Sequence, residues 1–208
     1  MNKIDLLLEK ASICELLQDW ALWRDVGNWS ALRGAFAPAA TIRTTWYDGA
    51  ATGFVDASIR MSNGAARAQH FIGASSVQVN GARALAETRV ILLVRAPLDG
   101  IESDATCYGR FIDRLVKLDG KWRIESRIPV YEKDFIQAVD PATSLTLDPA
   151  VLACFPAPYR HLAYLQSRGG ASIILDLPLP GSVENAQVVS DGQVWLAGEQ
   201  ACMESRQA

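Results

Sequence analysis

Apolar residues recur at helical spacing over residues 4–24, with Ile13, Leu16, Leu17, Trp20 and Ala21 on one side and Asp19 on the other. That pattern predicts an amphipathic first helix. Asp25 follows Ala21 by one helical turn, so it falls at the edge of the apolar stripe. Gly27 and Asn28 end this helix and open a second, which runs through Trp29, Leu32 and Phe36 to a stop at Pro38. Residues 41–47 are β-branched and aromatic and read as a short strand closed by Asp48-Gly49. Residues 55–61 read as a third, short helix ending near Asn63-Gly64.

The period then changes to that of strands. Residues 70–79 lead into Asn80-Gly81, residues 85–95 into Asp99-Gly100, and residues 103–118 into Asp119-Gly120. Each of these dipeptides favours the positive φ angles of a tight hairpin. Residues 121–131 complete the series, and Pro129 makes the last strand an edge or a bulged one. Helices followed by an antiparallel meander give an α+β class. Beyond residue 136 the texture changes: residues 140–149 are turn-rich, and Pro156, Pro158, Pro178 and Pro180 punctuate the remaining segment. The expected division is a domain over 1–136 and an extension over 137–208 that packs on it or on a neighbouring subunit. A helix is expected over residues 159–168 and another short element over 192–198.

Composition narrows the chemistry. With 208 residues, half of them apolar and 21% charged, the chain can build a packed core. A net charge of −3, spread without long runs of one sign, leaves no footprint for nucleic acid or for an anionic membrane surface. The charged N-terminus lacks the apolar run of a signal peptide, and a soluble cytoplasmic protein is expected. Cys14, Cys107, Cys154 and Cys202 form no CxxC pair and read as buried free thiols. Two histidines are too few for the usual zinc site, so no metal is expected. Neither GxGxxG, GxxxxGK[ST] nor GxSxG occurs, so no nucleotide cofactor is expected either.

Several blocks succeed one another in a recognisable order. They are Arg24-Asp25-Val26-Gly27-Asn28-Trp29, Gln69-His70-Phe71-Ile72-Gly73, Asn80-Gly81-Ala82-Arg83-Ala84, Gly109-Arg110-Phe111-Ile112-Asp113-Arg114, Asp119-Gly120-Lys121-Trp122-Arg123-Ile124 and Tyr131-Glu132-Lys133-Asp134. In this the chain resembles the SnoaL-like family of the nuclear transport factor 2-like superfamily, over about residues 4–136. The resemblance implies a strongly curved antiparallel sheet wrapped as a cone around three N-terminal helices, with a pocket inside. It does not fix the activity, because similar cones serve as lyases, isomerases, cyclases and binding modules.

The resemblance implies a general base at His70, oriented by Asp25. An imidazole can take and return a proton near neutrality. A carboxylate on one ring nitrogen would set the tautomer of the other. The ordinary alternatives are a half-buried histidine on a backbone carbonyl, and an aspartate paired with Arg24 or capping near Asn28. His161 lies in the tail, outside the expected core. Trp46, Tyr47 and Phe54 flank the expected mouth and suit an aromatic substrate. Arg43, Arg110 and Arg127 are strand arginines that could hold an anionic group, and Tyr108 and Tyr131 could donate a proton.

The expected function is a cofactor-independent lyase for a hydrophobic aromatic small molecule, of the dehydratase or formaldehyde-eliminating type. An isomerase or cyclase using the same base is the first alternative. A non-catalytic module like the small subunit of a ring-hydroxylating dioxygenase is the second. The apolar tail residues Phe155, Tyr159, Leu162, Leu165 and Trp195 also predict a homodimer or homotrimer.

Overall fold

The computed structural model describes residues 2–198. Three helices precede and interrupt the first strands: α1 (Lys3–Val26), α2 (Trp29–Gly34) and α3 (Ala51–Ser62). The strands are β1 (Phe36–Arg43), β2 (Asp48–Ala50), β3 (Arg67–Asn80), β4 (Arg83–Leu98), β5 (Ile101–Leu118) and β6 (Lys121–Ala138). They form one six-stranded sheet in the order β2-β1-β6-β5-β4-β3, antiparallel except where β1 runs parallel to β6. The sheet is curved and unclosed, as the α+β cone requires.

Helix α1 starts on the Asn2 side chain, which accepts from Asp5 N–H at 2.8 Å. It stops at Gly27, whose φ of 75° lets the chain reverse at once into α2. This sharp stop leaves Asp25 in the last turn of α1, against β3. Helix α2 is shorter than its pattern suggests and ends at Gly34. Ala35 O accepts from Ile124 N–H at 2.8 Å, and Phe36, only 5% exposed, enters β1 beside β6. A sheet partner supplied from far along the chain thus overrides the local helical pattern. Pro38 falls in the irregular stretch between Phe36 and Thr41, where β1 has no ladder register to lose.

Two of the hairpins turn on the expected pairs, Asp99-Gly100 and Asp119-Gly120, with all four residues at positive φ. The first hairpin is shifted by one. Asn80 pairs with Arg83, leaving Gly81-Ala82 as the loop, and the Asn80 side chain donates to Leu196 O at 2.9 Å. Pro129 lies in β6, which is an inner strand. Pairing with β1 ends at Arg127, however, and a bulge lies just beyond, opposite Tyr108 and Gly109. At Pro129 the strand therefore has a ladder neighbour on one side only.

Residues 139–198 cover both faces of the sheet. The inner face carries the N-terminal helices at one end, with Ile13, Leu17, Trp20, Phe54 and Leu115 in one core. At its other end lie α4 (Pro149–Leu152), a 3-10 turn (Ala157–Tyr159) and α5 (Arg160–Arg168). There Tyr159, Leu162 and Leu165 bury against Val94, Leu98, Cys107 and Tyr131. A fully buried leucine contributes roughly 1.5–3 kcal/mol, so these contacts hold α5 firmly to the sheet. Helix α6 (Val183–Ala197), longer than the short element expected, crosses to the outer face and sets Leu196 on Leu85, Ile112 and Val130.

The tail residues Tyr159, Leu162 and Leu165 thus bury against their own sheet with Phe155 partly beside them, and Trp195 packs partly against the outer face with Leu196. These tail contacts are made within the chain, while Leu22, Val26 and Phe71 remain well exposed. Of the cysteines, Cys107 is buried, Cys14 half-buried and Cys154 exposed, so the buried-thiol reading fails for Cys154. Cys202 lies outside the described residues.

Gly109 sits opposite Tyr131 beside the β6 bulge. A Cβ there would lie 2.6 Å from Val130 O and 3.1 Å from Tyr131 Cα, both rigid backbone. Gly109→Ala is expected to cost about 1–3 kcal/mol, the usual penalty of overpacking. A lowered denaturant midpoint at unchanged m-value would register it, and a wild-type midpoint would contradict it.

Candidate active site

His70 is the fourth residue of β3, an edge strand paired only with β4, where it stands opposite Leu92. The Asp25 carboxylate reaches it from α1 with both oxygens. One accepts from the His70 backbone N–H at 2.6 Å, and the other meets ring Nδ1 at 2.7 Å. With a carboxylate as its partner, Nδ1 carries the proton, and Nε2 keeps a lone pair. Both side chains are largely withdrawn from solvent, at 11% exposure for His70 and 14% for Asp25. Trp20, one and a half turns before Asp25 on α1, packs edge-on to the imidazole at 5.4 Å.

His70 lines an inner cavity of about 40 Å³ together with Trp20, Trp46, Phe54, Phe111 and Arg127. Next to it, sharing Arg24, Trp46, His70 and Leu92, lies a larger hollow of about 420 Å³. The extension supplies the far wall of that hollow, through Leu165, Gln166 and Ala171. Gln166 is fixed by the Thr45 hydroxyl, which donates to its side-chain oxygen at 2.6 Å, and Ile174 N–H donates to Thr45 O at 2.8 Å. Asp25 lines neither space. It faces the open seam between α1 and β3 beside Gln18, Leu22 and Phe71, and so holds the imidazole from behind.

The deep end carries a buried ion pair. Arg127 on β6 donates twice to Asp113 on β5, at 2.7 and 2.9 Å, with exposures of 1% and 0%. The guanidinium lies 4.0 Å from the Trp20 ring centroid and 4.3 Å from that of Phe111, which sandwich the cation. Burial pushes the Asp113 carboxyl up, and Arg127 opposes the shift. Tyr131 also lines the cavity, and burial raises its phenol, keeping it a proton donor.

Of the residues read from the sequence, His70, Trp46, Arg127 and Tyr131 come together here. Four do not. Tyr47 turns its hydroxyl to Ala50 O at 2.8 Å and props Trp46 and Phe54 from outside. Arg43 forms ion pairs with Asp48 and Asp176, at 2.8 and 2.7 Å. Tyr108 alternates with inward Cys107 and so faces outward, under the Lys133 ammonium at 4.8 Å. Arg110 points the same way, pairing with Glu87 at 2.7 Å and Glu132 at 2.6 Å.

Sequence reasoning missed Arg24, Thr45, Gln166 and the Asp113–Arg127 pair. Counting back from the Asp119-Gly120 turn puts Ser126 opposite Asp113. A bulge between Arg114 and Leu115 moves the register by one and brings Arg127 there instead. Nothing in the local sequence marks that bulge. His161 lies outside both spaces. Asp134 binds its ring Nδ1 at 2.7 Å and its backbone N–H at 2.7 Å, and so fastens the start of α5 to β6. Among the described residues no group of three or more His, Cys, Asp or Glu is arranged to hold a metal ion.

A family model described as a SnoaL-like domain matches residues 5–128, and the chain belongs to that family, with the nuclear transport factor 2-like fold. Pea pathogenicity protein 2 of Fusarium vanettenii is 31% identical to it, over 83% of this chain and 76% of that protein. A Novosphingobium aromaticivorans protein named as a candidate scytalone dehydratase shares the fold at 16% identity and a TM-score of 0.53, over 67% of this chain and 97% of that one. LinA shares it at 17% identity and a TM-score of 0.55, over 71% of this chain and the whole of LinA.

Proposed function

We propose that the protein is a cofactor-independent lyase for a hydrophobic, ring-bearing small molecule, with His70 as general base and then general acid. Asp25 is its positioning residue. One observation carries this reading: a single carboxylate grips both the backbone and Nδ1 of His70, leaving Nε2 to an aromatic-lined cavity. Asp134 holds His161 by the same two points, so what sets His70 apart is that its ring opens on the cavity. The SnoaL-like family includes dehydratases and lyases, which agrees with it.

In the dehydrating form, Nε2 takes a proton from a carbon adjacent to an electron-withdrawing group. The C–H electron pair becomes the new double bond as the neighbouring C–O bond breaks. The departing oxygen receives the proton back from the imidazolium and leaves as water. In the formaldehyde-releasing form Nε2 takes the proton of a hydroxymethyl O–H, and that O–H electron pair becomes the C=O of formaldehyde as the C–C bond breaks. The C–C pair forms the new double bond, the neighbouring C–O bond breaks, and its oxygen takes the proton back from the imidazolium and leaves as water. The Asp25 charge balances the imidazolium in both, and the phenol of Tyr131 is a donor for the leaving oxygen.

The test is a panel of aryl β-hydroxy ketones and aryl 1,3-propanediols incubated with the purified protein. Growth of conjugated-product absorbance, or release of formaldehyde, is the expected result for at least one member. Rearranged isomers of unchanged mass would move the activity to an isomerase or cyclase. Saturable binding without turnover across the panel would leave a binding module.

A further inference from the structure

The charge of the cavity walls is one-sided. Although the chain carries a net charge of −3, the ionisable side chains lining the inner cavity and the adjoining hollow are Arg24, Arg60, His70, Arg127 and Tyr131. Among the described residues no carboxylate lines either space. Of these groups, Arg127 is neutralised by Asp113, but its Nη1 is buried without a hydrogen-bond partner. The Trp20 indole Nε1 is also buried and unpartnered, on the same inner cavity. Buried N–H donors normally have partners, so two orphans on one cavity point to an oxygen acceptor that arrives from outside.

Arg24 is different, because its charge is not neutralised. It lines both spaces, and the nearest aromatic face, Trp29, is 5.9 Å from its guanidinium carbon. The neighbouring Asp25 is committed to His70 with both oxygens. Burial pulls the Arg24 guanidinium below its ordinary value, with Asp25 opposing, as expected of a cation withdrawn from water without a hydrogen-bonded counterion.

We propose that the ligand of this site is an aromatic molecule bearing an anionic oxygen head group such as a carboxylate, with Arg24 as the residue that selects the charge. The head group sits where the hollow meets the inner cavity. A second oxygen function of the ligand reaches the Trp20 and Arg127 donors. This assignment rests on the lyase reading for the presence of a reacting ring molecule, but its basis is the charge and the open donors. Arg24 then discriminates by a charge-assisted hydrogen bond, which a neutral analogue of the same shape cannot make.

Benzoate and its neutral isostere benzamide separate the two cases. Each is titrated into the full-length protein while the histidine ring resonances are followed by NMR. The chain has two histidines, and His161, outside both spaces, serves as the internal reference. The expected result is a saturable shift of the His70 signals, at least tenfold tighter for benzoate than for benzamide, with His161 unmoved. Arg24→Gln removes the preference, and Arg24→Lys retains part of it. Equal affinities, a preference that survives Arg24→Gln, or no binding of either probe at tens of millimolar would each overturn the assignment. The His70 signals of ligand-free Asp25→Asn protein, and turnover by the aryl panel, report on the acid–base pair separately. The head-group assignment can therefore fail while the lyase reading stands.

Discussion

His70→Ala is expected to lower turnover on the true substrate by about 10²- to 10⁴-fold, the range typical of a positioned general base. The substitution removes the atom that accepts the proton while leaving the cavity walls in place. Asp25→Asn is expected to cost a comparable factor by another route. An amide can still bond the ring and the His70 backbone N–H, but it cannot balance an imidazolium, and it can present its NH₂ to Nδ1 and favour the wrong tautomer. Steady-state kinetics on a substrate found by the aryl panel would check both, with circular dichroism to verify the fold. Near-normal turnover by His70→Ala would make this histidine structural. The assignment of the general base would then be wrong even with the fold right.

The largest effect on stability is expected at the floor of the cavity. Asp113→Ala should destabilise the protein by about 3–5 kcal/mol, because it strands the Arg127 guanidinium in a site with 1% exposure. The Trp20 and Phe111 faces on either side offer cation–π attraction but no counter-charge. The double variant Asp113→Leu with Arg127→Met removes both charges and should recover much of the loss, since apolar replacement of a buried pair is often neutral. Denaturant titrations of the two variants distinguish an ion-pair cost from a simple packing cost. If the single variant matched the wild type, the pair would have no structural role. If the double variant were as unstable as the single, packing would explain the loss.

The elements were legible because their signals are local. Helix α1 follows from a stripe through Ile13, Leu17, Trp20 and Ala21, all of them buried. The Asp-Gly turns follow from two residues each. Errors arose where a distant partner intervened. Helix α2 gave up Phe36 to a strand because β6 arrives beside it, and the first hairpin shifted by one as Asn80 bonded to the end of α6. The link between Asp25 and His70 came from family resemblance, since no spacing rule relates residues 45 positions apart.

By itself, the sequence determined the α+β class and the order of helices and hairpins, while the roles of His70 and Asp25 were implied by the resemblance to the SnoaL-like family. Periodicity, turn residues and the scarcity of histidine are properties of the chain read in order. Only the tertiary structure decided which strand arginine faces the cavity. Arg127 points in, Arg110 points out to Glu87 and Glu132, and Arg43 is held by Asp48 and Asp176. It also decided that Arg24, Gln166 and Leu165 build the walls. The reason is geometric. Alternation along a strand says that neighbours face opposite ways, but which set faces the core depends on register, and bulges in β6 at Glu125 and Glu132 each shift it by one residue.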